Sequence, residues 1–204
     1  MTMQGAWRAK EFVNEYLRED LPDRLLTYRN AWNVDDENLP EPIKYLVYEP
    51  VALDRWPTLI TVLISMNGLT RDGYSTNMDP VYRVDYAMRT YVWVKDDDSE
   101  QVTAKRDRLM TVVRSAFLDS PSLNRCALNE GFDVVLDEGS IREEYSDLTM
   151  IKGERVMAGG YVAYTLTIEE KVERTTIYEA KSPSASVTYE TESELLLPLL
   201  KDIN

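Results

Sequence analysis

The run VYRVDYAMRTYVWVK, from Val81 to Lys95, constrains the fold more than any other part of the sequence. Tyr82, Val84, Tyr86, Met88, Val92 and Val94 fall on one face at a period of two, and Arg83, Asp85 and Arg89 fall on the other. A helix cannot segregate residues that way, because its side chains return to one face every three to four positions. The run is therefore a long strand with one apolar face to bury. Tyr91 and Trp93 turn its second face aromatic at one end, so that end is expected to be covered too. A second alternating run, YVAYTLTIEEKVER (Tyr161 to Arg174), puts Val162, Tyr164, Leu166 and Ile168 on one face and Thr165, Thr167 and Glu169 on the other.

The rest of the chain supplies partners for these two strands. Residues 5 to 30 carry Trp7, Val13, Tyr16, Leu17, Leu21, Leu25 and Tyr28 at helical spacing, with Arg8, Glu11, Arg18 and Glu19 facing outwards. Pro22 predicts a kink or a break into two short helices. The acidic, Pro-containing stretch Asn33 to Pro42 reads as a boundary. Ile43 to Val51 and Thr58 to Met66 read as strands, the second apolar enough to be buried on both faces. Asn67 to Pro80 contains the turn dipeptides Asn67-Gly68 and Asp72-Gly73 and reads as a long loop that touches a neighbouring subunit.

After Asp96, Asp97 and Asp98, a helix is expected with Ser99 as its N-cap. Val102, Leu109, Val113, Ala116 and Phe117 form its inner side, Lys105, Arg106, Arg108 and Arg114 its outer side, and Asp119 to Pro121 its end. Phe132 to Asp137 reads as a strand, Ser140 to Gly160 as a mixed connector, and Gly159-Gly160 as a turn or bulge. From Thr175 the chain is polar and Ser-rich, then ends in Leu195, Leu196, Leu197, Leu199 and Leu200. Such an apolar end docks either on its own domain or on a neighbour. The fold class is α/β of the α+β type: one mixed, mainly antiparallel sheet with helices on one face. It divides into an N-terminal helical segment (1–34), a core domain (43–174) and a C-terminal arm (175–204).

Composition narrows the function. The 204 residues contain no His, which removes the commonest proton-transfer group and metal ligand. The single cysteine, Cys126, excludes an intrachain disulfide and a multi-thiolate metal site, and reads as a small buried apolar residue. The Asp96–Ser99 cluster lacks the alternating ligands and central Gly of a calcium loop and is explained by helix capping. No phosphate loop, nucleophile elbow, zinc helix or dinucleotide fingerprint is present, and no cofactor is expected. A carboxylate-pair hydrolase is not marked by any pair, although Asp and Glu total 36. The four Trp and 13 Tyr are read as core and interface residues. A net charge of −13 disfavours holding a phosphate backbone or an anionic membrane. The N-terminus has no apolar signal core, and the longest apolar stretch, Leu59 to Ile64, is too short to span a bilayer. The chain is therefore expected to be soluble and made in the cytoplasm.

The stretch VDYAMRTYVWVKDDDSEQVTAKRDRLMTVVRSAFLDSPSL, with the later GGYVAYTLTIEEKV, resembles the tail terminator and tail-completion proteins of long-tailed bacteriophages, over roughly residues 43 to 174. The resemblance implies a compact α/β subunit that joins copies of itself in a ring, most simply a hexamer. That ring caps the tail tube, meets the neck or stopper protein at the head-tail junction of the virion, and lets DNA pass without specific binding. It carries over no active site. Candidate interface residues are Arg83, Arg89, Tyr91 and Trp93 on the strand's second face and the leucines 195, 196, 197, 199 and 200 of the arm. Asp96, Asp97 and Asp98 are candidate lumen or rim residues. Alternatives are another neck or tail protein (stopper, adaptor or tube subunit) or a ligand-binding adaptor unrelated to phage.

Overall fold

Twenty-eight residues, Gly5–Trp32, form one helix, α1, that is not broken at Pro22. A proline inside a helix removes a hydrogen bond and costs about 3 kcal/mol. Here Phe12, Val13, Tyr16, Leu17, Leu21 and Leu25 are inaccessible to solvent on both sides of it. At roughly 1.5–3 kcal/mol for each fully buried side chain, that burial outweighs the proline. The buried Asp20 also accepts two hydrogen bonds from Arg24, one turn on, bridging the same region. The computed structural model describes residues 5–50, 52–75, 79–123, 134–145, 150–152 and 155–172. All of them belong to one compact unit, Met1–Glu173. Cys126 and the leucines of the arm lie outside the described residues.

The remaining elements are β1 (Lys44–Leu46), β2 (Thr58–Tyr74), β3 (Pro80–Asp96), α2 (Ser99–Asp119), β4 (Val134–Tyr145), β5 (Met150–Lys152) and β6 (Arg155–Lys171). They build a six-stranded sheet in the order β1-β2-β3-β6-β4, with β5 also paired to β6. Only β1–β2 is parallel; the other pairings are antiparallel. The architecture is thus the expected α+β fold with a mixed, mainly antiparallel sheet.

Both helices pack on the same face of the sheet. From β3 come Val84, Tyr86, Met88, Val92 and Val94; from β6 Val162, Tyr164, Leu166 and Ile168; from α2 Val102, Leu109, Val113, Ala116 and Phe117. The α1 residues join this same core, so the helix is part of the sheet's fold rather than an addition to it. Tyr16 links the two helices: its hydroxyl donates to the Ala116 carbonyl at 2.6 Å, and its ring stacks on Phe117. Burial, reinforced by Asp20, pushes its phenol up to about 12. A polar chain crosses the core beneath the helices. Thr61 donates to Asn14 Oδ1, the Thr61 and Thr90 hydroxyls share a hydrogen bond, and so do those of Thr90 and Tyr164.

Several boundaries differ from the sequence reading, each for a physical reason. Residues 67 to 74 are not loop but the second half of β2, which pairs with β3 as far as Tyr74↔Pro80. Three register shifts absorb the turn-forming residues, and at Gly68 the Asp85 carboxylate lies close, 2.6 Å from where a Cβ would stand. Strand β1 stops at Leu46, well short of Val51. Ser140 to Gly160 is not a connector: it holds the second half of β4, all of β5 and the start of β6. Gly159 and Gly160 make no turn; they sit in register opposite Trp93 and Val92. Their role is close approach, since a Cβ would meet the Trp93 ring at 2.7 Å or Met110 Sδ at 2.5 Å. The N-cap of α2 is Asp98 rather than Ser99, its carboxylate accepting from the Glu100 and Gln101 amides. Lys105 is buried rather than outward, and Trp7 is 53% exposed rather than packed. Of the Phe132–Asp137 strand, Val134 onwards is described, as part of β4.

Candidate functional site

The sheet's second face carries no helix among the described residues, and it places most of the candidate residues. Cross-strand register arranges it in rows. One row runs Val62, Arg89, Ala163, Arg142; the next runs Ile60, Tyr91, Tyr161, Glu144; a third holds Thr58, Trp93 and Gly159. Strand alternation sends all of these side chains away from the helices.

The middle rows lock together. The Tyr91 and Tyr161 rings are tilted with centroids 5.1 Å apart, and the Arg89 guanidinium lies 4.4 Å from the centre of the Tyr161 ring. The Tyr161 hydroxyl donates to Glu144 on the next strand, which raises that phenol above its ordinary value. A hydrogen bond between the Arg89 and Tyr91 side chains pushes the guanidinium up likewise, so it stays charged at any working pH. Long side chains that would otherwise sweep a large volume are thereby held flat against a rigid sheet. Aromatic and Arg side chains held in this way are those enriched at protein interfaces, because little entropy is left to lose on docking.

Beside this cluster, at the Trp93 end, is a cavity of about 690 Å³. Its floor is sheet: Ile60, Tyr91, Trp93 and Met157. Its other wall is the segment between β1 and β2, with Glu49, Pro50, Ala52, Leu53 and Trp56. Lys95 stands at the edge, its ammonium 6.0 Å from the centre of the Trp56 ring. The aromatic end of β3 is thus half covered, by this segment rather than by a helix.

The sequence-derived residues separate into three groups. Arg89, Tyr91 and Trp93 come together. Arg83 lies six positions from Arg89 on the same strand, about 20 Å at 3.3 Å per residue, and pairs with Asp72 across the β2–β3 hairpin at 3.0 Å. Of the acidic trio, Asp96 turns inwards: it takes the Lys105 ammonium and the amides of Asp97 and Asp98. Burial opposes its ionisation, but those donors prevail and hold the carboxyl below the usual range. Asp97 and Asp98 are exposed, and Asp98 is spent on the helix cap. Tyr161, Trp56, Met157, Lys95 and Arg142 were missed as site residues. For Tyr161 the signal was available, since it shares parity with Thr165 and Thr167. Trp56 is placed by a loop, which leaves no periodic trace.

A second surface stands out at the edge of the sheet. Strand β1 pairs only with Thr58–Ile60, leaving the outer side of β2 from Thr61 to Tyr74 without a strand neighbour among the described residues. Ile64, Met66, Leu69 and Tyr74 lie on this stretch and are each about half exposed. Unpaired edges with large apolar side chains invite pairing with another chain. Among the described residues no group of three or more His, Cys, Asp or Glu side chains could hold a metal ion, and no helix is long and apolar enough to cross a membrane. No protein-family model matches the chain, and no curated protein matches it.

Proposed function

We propose that this chain is a structural subunit that acts by assembling with copies of itself, as a tail terminator ring at the head-tail junction of a long-tailed phage. The observation that carries the reading is the second sheet face, where Arg89, Tyr91, Trp93 and Tyr161 are fixed on β3 and β6 with no helix over them among the described residues. An isolated domain with one solvated face fills it with polar residues; this one holds an aromatic and cationic band there instead. A ring requires two different patches that fit head to tail. The face supplies one, and the β2 edge, open to strand addition, supplies another. In this role the ring caps the tail tube, contacts the neck or stopper protein, and passes DNA through an acidic lumen that repels phosphate.

Another neck or tail subunit, such as a stopper, adaptor or tube protein, would use the same surfaces. The cavity beside Trp93 favours one further reading, an adaptor that binds a small apolar ligand. Light scattering after size-exclusion chromatography separates these. The terminator reading predicts one closed species several-fold heavier than the 23.6 kDa chain, seen as rings by electron microscopy. Open stacks identify a tube protein. A monomer at every concentration removes the assembly reading and leaves the ligand-binding one.

A further inference from the structure

We propose that copies of this chain join by continuing their sheets, the open edge of β2 in one copy pairing antiparallel with the open edge of β4 in the next. The inference rests on the self-assembly reading and names the contact that closes the ring.

The sheet has two unfinished edges among the described residues. On one side, β1 pairs with β2 only at Thr58, Leu59 and Ile60, so the stretch from Thr61 to Tyr74 has no outer strand. On the other, β4 pairs only with β6. The Leu136 amide donates to the Pro121 carbonyl, which leaves the stretch from Asp137 to Tyr145 open. The apolar layer on the helix side is unfinished at β2 as well. Met66 and Leu69 stand in register with Tyr86 and Val84 on β3. Those two β3 residues are buried, yet Met66 and Leu69 are 56% and 55% exposed. The layer stops one strand short of the edge, and a strand added to β2 completes it.

Strand direction selects β4 as that strand. β2 and β6 run one way, β3 and β4 the other. Rotation about a ring axis lying along the strands brings copies side by side without reversing them. The β2 edge of one copy then meets the β4 edge of the next running oppositely, which gives the more stable antiparallel ladder. Side-chain charge discriminates in the same sense. β4 presents exposed Asp137, Glu138 and Glu144 against exposed Arg142, so pairing it with another β4 sets like charges together. From Thr61 to Tyr74, β2 carries one cation, Arg71, and one carboxylate, Asp72. One repeated contact covers both edges of every copy and leaves no template for unlimited pairing. The rows that hold Arg89, Tyr91 and Tyr161 run from β2 to β4, so the aromatic and cationic band continues from copy to copy.

The test uses the full chain in a Cys126→Ser background. Ser65 on β2 and Asp137 on β4 are exposed and lie in one row of the sheet, through Ala87 and Thr165. Three strand spacings, about 14 Å, separate them within a chain, beyond the roughly 7 Å that a disulfide spans. A chain carrying Ser65→Cys with Asp137→Cys can therefore link only to another copy. A second chain, Ser65→Cys with Arg142→Cys, samples a register shifted along the strand. Under mild oxidation one of the two should give linked chains beyond the dimer, at least fivefold more than any single-cysteine variant gives of dimer. In parallel, Ile64→Asp with Met66→Asp, at two exposed positions, should weaken assembly tenfold or more without changing the denaturation midpoint. A dimer from Ser65→Cys alone, as abundant as the linked chains of the doubly substituted variants, overturns the β4 assignment in favour of a two-fold β2 pair. Linking no greater than in the single variants, with the Asp-substituted chain assembling as the parent does, overturns sheet continuation while the self-assembly reading stands. A parent that is monomeric at every concentration overturns both.

Discussion

Strand β3 has two faces of similar size and opposite use. On one, Val84, Tyr86, Met88, Thr90, Val92 and Val94 are all buried against helices and neighbouring strands. On the other, Arg83, Asp85, Ala87, Arg89, Tyr91, Trp93 and Lys95 are all partly or fully accessible. The first face is committed to folding: its contacts are apolar, and its few polar groups, such as Thr90, are hydrogen-bonded in place. The second face is held just as rigidly by the same backbone, yet its side chains contribute little to the core. Residues on the first face should therefore govern stability, and residues on the second should govern association.

The largest expected effect belongs to the covered side. Phe117→Ala removes a ring packed 4.6 Å from Tyr164 and stacked on Tyr16. It should cost about 3–5 kcal/mol in chemical denaturation, enough to unfold a marginal domain. Gly160→Val should come next, at about 1–3 kcal/mol, because its Cβ would collide with Met110 and with the Glu144 carbonyl. An effect near zero in denaturation would mean that helix α2 is not pressed onto β6 there.

Asp96→Asn tests the join between the two regions and should cost about 2 kcal/mol, leaving the buried Lys105 without its charged partner. The pH dependence follows from the depressed carboxyl. Its contribution is present above the unfolded value of about 3.9 and is lost as pH falls through the lower folded value. Below about pH 4 the parent should therefore lose stability more steeply than the variant. Parallel acid limbs would show that Asp96 does not matter to folding. The smallest effect on stability is expected on the open face: Arg89→Ala should change it by no more than about 1 kcal/mol, while reducing the mass of the assembled species in light scattering.

Sequence periodicity made the covered face legible. Val84 to Val94 and Val162 to Ile168 announce a period of two because burial against helices selects apolar side chains at every second position. The same parity exposed Arg89, Tyr91 and Trp93 as a set. It was silent on Tyr161 as their partner, because pairing of β3 with β6 depends on a register that neither strand encodes alone. The turn dipeptides Asn67-Gly68 and Asp72-Gly73 were misleading for a related reason. Bulges in β2 use the same small residues as turns do, so local composition could not separate a strand with register shifts from a loop. Gly159 and Gly160 mark tight packing against Trp93 and Met110, which only the assembled layers reveal.

The comparison of the two faces is tested most directly by one pair of solution masses. The full-length chain and its Arg89→Glu, Tyr91→Ala variant would be measured by light scattering over a range of concentrations, with denaturation curves for both. The prediction is an assembled species well above 23.6 kDa for the parent and a 23.6 kDa monomer for the variant, with stabilities within about 1 kcal/mol of each other. Equal masses for the two proteins, or a parent that is monomeric throughout, would contradict the assignment of the open face to assembly.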